Sequence, residues 1–470
     1  MKQEEKIIMS GELEDNSPSQ KISLPLRDKL LPPIIREVVS NAPANRKIPC
    51  LIACLSPLCA LATRVRTNYY YDGERISALL LQVIIEAPQS SGKQFAADIE
   101  KLIMDNTLKS KDQEQRRLEQ NYREKKRTRA ANQKMEEEPK TTIRVIPATI
   151  SKTVLVKRAD YYERNLGDVL SFWMFAEELA QVTDAGKQGY SNLRTIMRTA
   201  YDFGSRFGID YASDNSYSAI VDINICSMFC TTPSALDDYM DKKAIEGGNI
   251  TRTVLCQLED EMGSDGALFK PYTDVQLANI KSILDKIMAD CYKDDDTLQP
   301  EIFLESKWLE KDIRTWCVSK GDEALKTGST AIDVFRKRSS VSAFRATMLC
   351  YYLYILENNG KDGGLTENQI QWRCKQLYRF FADYILSTLL RRWGKRFEEL
   401  QGKRDTTDED GCLRYRIIDK LPDTFTRTEF EVLLQKCKCA SPPKVLISIW
   451  KTKNWIVETE KFQYKKIKKT

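Results

Sequence analysis

Residues 79–98 read LLLQVIIEAPQSSGKQFAAD, and this stretch decides the fold that the sequence predicts. The nearly unbroken apolar run 79–85 predicts a strand buried on both faces, as the strands of a parallel sheet are. The small and polar residues 89–93 predict a turn, and a helix is expected to begin after Lys93. A strand, a glycine-containing loop, a lysine and a helix are the layout of a phosphate-binding loop, in which backbone N–H groups and the positive helix end surround a phosphate.

Two positions of this loop depart from the usual motif. Ala87 stands where the motif has its first glycine, and Gln94 stands where it has the Ser or Thr that binds Mg²⁺. We expect Lys93 to reach the β- and γ-phosphates of a bound nucleotide. The residues expected to surround that nucleotide are Pro88, Gln89, Ser90, Ser91, Gly92, Lys93 and Gln94. The alternative is an ordinary strand-turn-helix unit of an α/β domain that binds no ligand.

The composition limits the chemistry that the chain can perform. Its 470 residues, 42% of them hydrophobic, are enough for about three domains with real cores. The chain has no histidine, which excludes Ser-His and Cys-His nucleophile pairs and histidine-bound metals. A net charge of +6 permits a polyanionic partner without requiring one. Any reaction therefore has to use carboxylates, Lys, Arg or a phosphate-bound metal.

The cysteines and the hydropathy pattern predict a cytoplasmic protein. The 13 cysteines form no C-x-x-C pair, so we expect buried free thiols of a reducing compartment, with a metal cluster as the alternative. No segment approaches the roughly 20 apolar residues of a membrane span, and the N-terminus lacks the layout of a signal peptide. We therefore expect no membrane partner.

Periodicity and composition divide the chain into five segments. The predicted strands 142–146, 169–175, 218–230 and 253–258 alternate with helices, which indicates a mostly parallel sheet with helices on both faces. The fold class that we predict is an α/β P-loop NTPase core of the RecA or AAA+ type, with flanking all-α regions and a C-terminal winged-helix domain. The segments are a disordered tail (1–22), an N-terminal helical region (23–75), the ATPase core (76–270) with a charged helical insertion (108–140), an all-α domain (271–405) and the winged-helix domain (411–470).

Two adjacent carboxylates follow the buried strand 169–175. An ATPase uses one carboxylate on Mg²⁺, directly or through water, and another to orient the attacking water. We assign Glu177 to the metal and Glu178 to the water. Adjacent acids also follow apolar runs by chance, and the assignment depends on their position after the phosphate loop.

Two further residues have a functional and a structural interpretation of similar weight. Thr232 follows the strand 218–230, where a polar side chain can sense the γ-phosphate, or it can cap the helix that starts near Ser234. Arg252 is interpreted as a finger that completes the nucleotide site of a neighbouring subunit, or as a salt-bridged arginine at a sheet edge. Arg338 and Arg345 of the all-α domain are weaker candidates for contacting phosphate.

Basic residues cluster in two segments. The insertion carries Lys125, Lys126 and Arg127, which predict nucleic-acid contacts or, equally, a solvated charged spacer. The last segment reads as three helices and a β-hairpin, with a capping box at residues 426–429. Its candidate nucleic-acid contacts are Lys444, Lys451 and Lys453, with a protein-docking role as the alternative.

The ordered motifs of residues 24–400 resemble an uncharacterised domain family of P-loop proteins from phages, plasmids and integrative elements, many of them of the Bacteroides type. The resemblance is carried by a Leu-Pro start with two helices, a Tyr-rich approach to the strand, PQSSGK, the charged insertion, FAEE, CTTP and GGNITR. Members often accompany primase domains or are fused to them. The resemblance therefore implies a helicase-like or primase-associated ATPase.

The resemblance also assigns residues. Lys93 matches the loop lysine of the family, Glu177 and Glu178 match its acidic motif, Thr232 its polar strand-end residue, and Arg252 its arginine after glycine. The departures are Ala87 and Gln94, and a missing Ser or Thr leaves Mg²⁺ to the acids and water.

Together these features predict an ATP- and Mg²⁺-dependent nucleic-acid motor of a mobile genetic element, acting on single-stranded or forked DNA. An arginine that completes a neighbour's site requires a closed heterologous interface, so a homo-oligomeric ring is expected. A primase or another element-encoded protein is the expected partner. The alternative is a non-hydrolysing DNA-binding scaffold or a nucleotide-gated switch that recruits replication or transposition proteins.

Overall fold

The computed structural model describes residues 27–70, 75–128, 137–180, 193–210, 217–258, 267–294, 297–358, 364–402, 418, 420–436, 442–452 and 454–467. The predicted tail 1–22 and Lys453 lie outside these ranges. Within them, no helix is long and apolar enough to cross a lipid bilayer.

The first part of the chain contains two helices and two short strands: α1 (Pro33–Ser40), α2 (Lys47–Leu61), β1 (Val65–Asn68) and β2 (Ile76–Ala78). The sequence predicts one apolar face on the second helix, but α2 is buried on all sides from Pro49 to Leu61. It packs against α3 (Gln94–Met104) and the central sheet, and its Ser56 hydroxyl lies 2.7 Å from the Leu81 carbonyl oxygen, to which it donates. A helix that is apolar all round belongs inside a core.

The central unit alternates strands and helices. In chain order it contains β3 (Gln82–Glu86), α3, α4 (Ser110–Thr128), β4 (Val145–Pro147), α5 (Lys152–Leu166), β5 (Ser171–Ala176), α6 (Leu193–Ala200), β6 (Arg206–Ile209), β7 (Ala219–Asp222), β8 (Asn224–Thr231), α7 (Pro233–Tyr239), α8 (Lys242–Glu246) and β9 (Val254–Gln257). Five of these strands form an all-parallel sheet in the order β4-β5-β8-β3-β9. This sheet confirms the predicted α/β core.

The predicted strand 218–230 is wrong in one respect, because it is two strands. β7 pairs in antiparallel fashion with β6 as a separate hairpin, and only β8 joins the central sheet. β8 is buried along its whole length, whereas β7 is partly exposed. The Asp222 backbone N–H at the break donates to the Glu163 carboxylate of α5, which ties the hairpin to a helix. An apolar run alone does not reveal this change of partner.

The charged insertion begins with a buried anchor. The carboxylate of Asp112 in α4 accepts hydrogen bonds from the backbone N–H groups of Arg144 and Val145. Burial raises the pKa of Asp112 to about 6 despite these two donors and the nearby guanidinium of Arg144. Two turns later, the Glu119 carboxylate accepts a hydrogen bond from Arg158 at 3.0 Å. The predicted solvated helix is therefore confirmed only for the second half of α4.

A mostly helical part follows the sheet: α9 (Asp274–Ala289), β10 (Ile302–Leu304), α10 (Glu310–Thr327), α11 (Thr330–Asn358), α12 (Glu367–Leu389) and α13 (Lys395–Gly402). The prediction of helix throughout 271–405 is wrong at β10, which pairs with β1 in a three-stranded sheet of order β10-β1-β2. The strand β1 also falls within the predicted N-terminal helical region 23–75, which the structure therefore shows not to be helix alone. A π-helical segment, Leu390–Gly394, joins α12 to α13.

The C-terminal part has its own apolar core around Phe425, Phe430 and Trp450. It contains β11 (Thr424–Thr426), α14 (Arg427–Lys436), α15 (Pro443–Thr452), β12 (Ile456–Glu460) and β13 (Gln463–Lys466), with the strands in the antiparallel order β11-β13-β12. The predicted capping box is confirmed, because the Thr426 backbone N–H donates to Glu429 at 2.7 Å and the Glu429 N–H donates back to the Thr426 hydroxyl.

Candidate functional site

The loop after β3 is shaped by two residues with positive φ. Ser90 has φ 61° and Gly92 has φ 75°. The Ser91 hydroxyl donates to the Pro88 carbonyl at 2.7 Å and closes the turn. The Ala87 N–H donates to the Thr231 carbonyl of β8 at 3.0 Å, which fixes the start of the loop to the neighbouring strand. Left-handed residues between extended and helical ones turn successive N–H groups toward one point, as anion-binding loops do.

Lys93 lies at the boundary between this loop and α3. Its Nζ donates to the Thr231 carbonyl oxygen at 3.2 Å, the same oxygen that accepts the Ala87 N–H. The side chain is half-buried and crosses the carboxyl ends of β3 and β8. Ligands of open parallel sheets bind at this edge.

The two predicted acids lie beside the same edge. Glu177 and Glu178 are exposed and follow β5, and the Leu179 N–H donates to the Cys230 carbonyl at 2.9 Å, which folds the segment over the end of β8. Burial raises the pKa of the Cys230 thiol to about 12, while the Lys93 ammonium lowers it and the Glu177 carboxylate raises it. Lys93 therefore contacts Thr231, and the segment that carries Glu177 contacts Cys230, at adjacent positions of the carboxyl end of β8.

A resident metal would find few protein ligands here. Among the described residues, no group of three or more His, Cys, Asp or Glu side chains could hold a metal ion. The Gln94 amide donates to Asp98 at 3.3 Å and lies along α3. Mg²⁺ commonly binds one or two carboxylates together with substrate phosphates and waters. The exposed Glu177 and Glu178 fit that mode, whereas Gln94 does not.

Arg392 is a residue of this edge that the sequence analysis misses. It lies in the segment between α12 and α13, and its Nε donates to the Glu86 carboxylate at 2.8 Å. Its NH2 group donates to Asp237 at 3.0 Å and to the Pro233 carbonyl at 3.3 Å. Glu86 ends β3, is 4% exposed and also accepts from Gln257 at 2.9 Å. The contact between Arg392 and Glu86 joins residues 306 positions apart, and its only sequence signal is a pair of arginines at the end of an apolar helix.

Arg46 is a second missed residue and approaches the loop from the helical region before β1. Its NH2 group donates to the Ser91 carbonyl at 3.2 Å. The side chain is buried, and its Nε has no hydrogen-bond partner among the described residues. This guanidinium adds a positive charge behind the loop.

In the structure Thr232 caps a helix, which is the structural one of its two interpretations. Its hydroxyl accepts the Ala235 N–H at 3.4 Å and caps α7. The residue beside the loop is its neighbour Thr231, which contributes a backbone carbonyl rather than a side chain.

The structure does not bring Arg252 to Lys93. Arg252 precedes β9 and therefore lies at the amino edge of the sheet, while Lys93 lies at the carboxyl edge. Its NH2 group is 3.3 Å from the Asp202 carboxylate, and the side chain is 16% exposed. This is the salt-bridged arrangement of the alternative interpretation.

Arg338 and Arg345 join Arg252 at this amino edge. The guanidinium carbons of Arg338, Arg345 and Arg252 lie 5.7, 4.3 and 5.9 Å from the centre of the Tyr201 ring, respectively. Arg338 also donates to Asp202 at 2.9 Å. We call these three residues the amino-edge arginine cluster.

The predicted nucleic-acid contacts lie on exposed helix ends where the structure describes them. Lys125, Lys126 and Arg127 are exposed in the last turns of α4, and Lys444 is exposed in the first turn of α15. Lys451 is engaged by Glu458 of β12 and lies over the Tyr464 ring. Lys453 lies outside the described residues.

No model of a known protein family matches the chain, and a search of curated proteins finds no similar sequence. Function therefore has to be inferred from the geometry of the chain.

Proposed function

We propose that this protein is an ATP-dependent nucleic-acid motor with a P-loop core of the RecA or AAA+ type. The observation that carries the proposal is the position of Lys93. It follows a buried parallel strand and a loop with two left-handed residues, opens a helix, and extends its Nζ to the Thr231 carbonyl of the next strand. An ammonium in that position can bind the phosphates of a nucleotide held by the loop N–H groups.

The strand order supports the same assignment. β8 separates the strand that carries the loop from β5, which carries the two acids, and β9 lies on the other side of β3. This order is the one expected of a RecA-like or AAA+-like core. Ligands of open parallel sheets bind at the carboxyl ends of the strands, and Lys93 and the segment with Glu177 and Glu178 lie at these ends.

Each residue at this edge of the sheet then has a defined role. The loop, residues 88–94, surrounds the phosphates, and Lys93 contacts the β- and γ-phosphates. Glu177 holds Mg²⁺, which when bound neutralises charge on the phosphate oxygens, and Glu178 orients the attacking water. Arg392 and Arg46 supply further positive charge from the two flanking helical regions.

The flanking parts support a nucleic-acid substrate. Two described helices followed by a β-hairpin are compatible with a winged-helix domain, and Lys444 lies at the start of its last helix. The exposed basic end of α4 offers a second phosphate-binding surface. Together with the resemblance to primase-associated P-loop proteins, these features favour single-stranded or forked DNA as the substrate, in replication or mobilisation of a mobile element. The partners that we propose are further copies of the chain in a ring and an element-encoded primase.

The ten cysteines of the described ranges are buried free thiols, which favours the cytoplasm.

A second candidate is a non-hydrolysing DNA-binding scaffold or nucleotide-gated switch that recruits replication or transposition proteins. It is favoured by Gln94, whose amide bonds Asp98 instead of offering the hydroxyl that usually completes the Mg²⁺ site.

ATP hydrolysis with and without single-stranded DNA separates the two. We expect DNA-stimulated turnover that is lost in Lys93→Ala and Glu178→Gln and kept in Lys101→Ala, an exposed lysine of the same helix. Bound Mg²⁺-ATP without turnover in the unmodified protein would favour the scaffold. Absence of nucleotide binding would contradict both.

A further inference from the structure

A cavity of about 310 Å³ opens at the amino edge of the main sheet. Four cationic side chains and two aromatic rings contribute to its wall: Arg75, Lys337, Arg338, Arg345, Tyr69 and Phe203. Arg345 donates to the carbonyl of Leu80, two residues before β3, whereas the phosphate loop follows the other end of that strand. A five-residue strand spans about 13 Å, so the cavity is separate from the Lys93 site.

Among the described residues, the arginines at the back of this cavity share few acidic partners. Arg252 and Arg338 share one carboxylate, that of Asp202, at 3.3 and 2.9 Å. Arg345 is held by two backbone carbonyls, those of Leu80 at 3.1 Å and Tyr201 at 2.8 Å. It is 3% exposed, and its Nε has no hydrogen-bond partner among the described residues.

Lys337 at the mouth is 52% exposed and pairs with Asp333 at 2.7 Å. In the described part of the chain, the guanidinium groups of Arg252, Arg338 and Arg345 therefore have one paired carboxylate, that of Asp202, behind a partly open cavity. Like charges held together in a partly buried site repel unless an anion offsets them. The pKa of Arg252 is lowered by burial and by the neighbouring Arg338, as expected where cations lie close together.

We propose that this cavity binds a nucleoside phosphate, as a second site that is independent of the Lys93 loop and goes beyond the proposed ATPase function. The planar guanidinium of Arg338 matches the geometry of a phosphate, and the cavity has the size of a small ligand pocket, enough for one nucleotide unit. Tyr69 and Phe203 line the cavity, and the guanidinium carbon of Arg66 lies 4.8 Å from the centre of the Phe203 ring. A base would stack on the aromatic surface that remains, as in sites for unpaired nucleotides. The nucleoside phosphate is either a free mononucleotide or one unit of a single strand.

The test measures binding of a fluorescein-labelled oligo(dT) of twelve nucleotides by fluorescence anisotropy, with dTMP and inorganic phosphate as competitors. All proteins carry Lys93→Ala, so that a failed ATPase proposal and a failed second site give different results. We expect Arg338→Gln to weaken binding about tenfold, because a hydrogen bond to a charged group is lost. We expect Asp202→Asn to tighten it, because the competing carboxylate is removed.

The matched control is Arg379→Gln. Arg379 also forms an ion pair between two elements, with Asp312 at 2.6 Å, and is 51% exposed, but it lies outside the cavity. Lys337→Gln changes an exposed side chain and is expected to weaken binding. It keeps the proposal testable if a change at Asp202 or Arg338 unfolds the protein. Thermal melting identifies such a case.

The competitors decide the source of the phosphate. Displacement by dTMP that depends on Arg338 assigns a mononucleotide site, and displacement only by unlabelled oligonucleotide assigns a single-strand site. Equal affinities of Arg338→Gln, Lys337→Gln and Arg379→Gln for every ligand would overturn the proposal. So would weaker binding by a folded Asp202→Asn protein.

Discussion

Arg392 forms an ion pair with Glu86, with 2.8 Å between its Nε and the Glu86 Oε1. Glu86 is the last residue of the strand that leads into the loop 88–94, and Arg392 belongs to the helical part that follows the sheet. The same guanidinium contacts Asp237 in α7 at 3.0 Å. One side chain thus links the strand before the loop, the helix after β8 and the helical part.

Arg392→Ala is expected to lower the free energy of unfolding by about 3 kcal/mol, because it leaves the buried Glu86 carboxylate with the Gln257 amide as its remaining partner. Urea denaturation measures the change. Arg396→Ala is the control, since Arg396 is 43% exposed and contacts Asp237 at 3.4 Å, and we expect it to cost less than about 1 kcal/mol. A loss from Arg392→Ala that is no smaller in a Glu86→Gln background would contradict the pairing.

Asp112 is expected to make stability depend on pH. Its pKa is raised by burial from 3.8 to about 6, so the folded state holds the proton more tightly than the unfolded state does. The stability that this residue contributes is complete below about pH 4 and is lost as the pH rises through 6. In Asp112→Asn, the loss of about 3 kcal/mol over this range should disappear.

The measurement is urea unfolding of both proteins at several pH values, from roughly 3.5 to roughly 7.5, which brackets the folded and unfolded pKa values of Asp112. The Asn variant should gain stability relative to the unmodified protein as the pH rises. If the Asn variant instead lost stability relative to the unmodified protein as the pH rises, the two backbone N–H donors would lower the pKa of Asp112 more than burial raises it.

The loop geometry predicts opposite effects for two neighbouring residues. Gly92 has φ 75°, and a Cβ atom at this position would meet open space, so Gly92→Ala is expected to cost about 1 kcal/mol through backbone strain alone. Ser90, with φ 61°, already bears such strain, and Ser90→Gly is expected to leave stability equal or higher. Thermal unfolding and nucleotide binding are measured on both, and only Gly92→Ala should weaken binding. Equal behaviour of the two variants would contradict this loop conformation.

The elements that sequence predicts well are those whose signal is local. The buried strand and loop at 79–98, the acids after β5 and the capping box at 426–429 depend on neighbours in the chain, and the structure contains all of these elements. The failures depend on distant partners. Residues 302–304 form a strand only because β1 offers its edge, and the apolar run 218–230 divides because β6 pairs with its first part.

The same distinction applies to the site. The place of Lys93 follows from its own loop, whereas Arg392 reaches the end of β3 and Arg46 reaches the loop through tertiary packing that no local pattern encodes. Arg252, Arg338 and Arg345 are separate candidates along the chain, and only the fold shows that they share one aromatic ring at the amino edge.

Under the proposed ATPase function, Gln94 is the position that best tests how the loop would bind Mg²⁺. Its amide contacts Asp98 at 3.3 Å on an exposed helix face, so replacing it should cost less than about 0.5 kcal/mol of stability. Gln94→Thr places a hydroxyl where phosphate loops use one on Mg²⁺, and we expect a lower Mg²⁺ concentration for half-maximal ATP turnover and a higher kcat.

Gln94→Ala is the matched control, because it also removes the contact with Asp98 but adds no metal ligand. If Gln94→Thr and Gln94→Ala gave the same Mg²⁺ dependence, the hydroxyl would have no access to the metal. The ion would then depend on Glu177 and the phosphates alone, and Glu177→Gln would raise the Mg²⁺ requirement in both backgrounds.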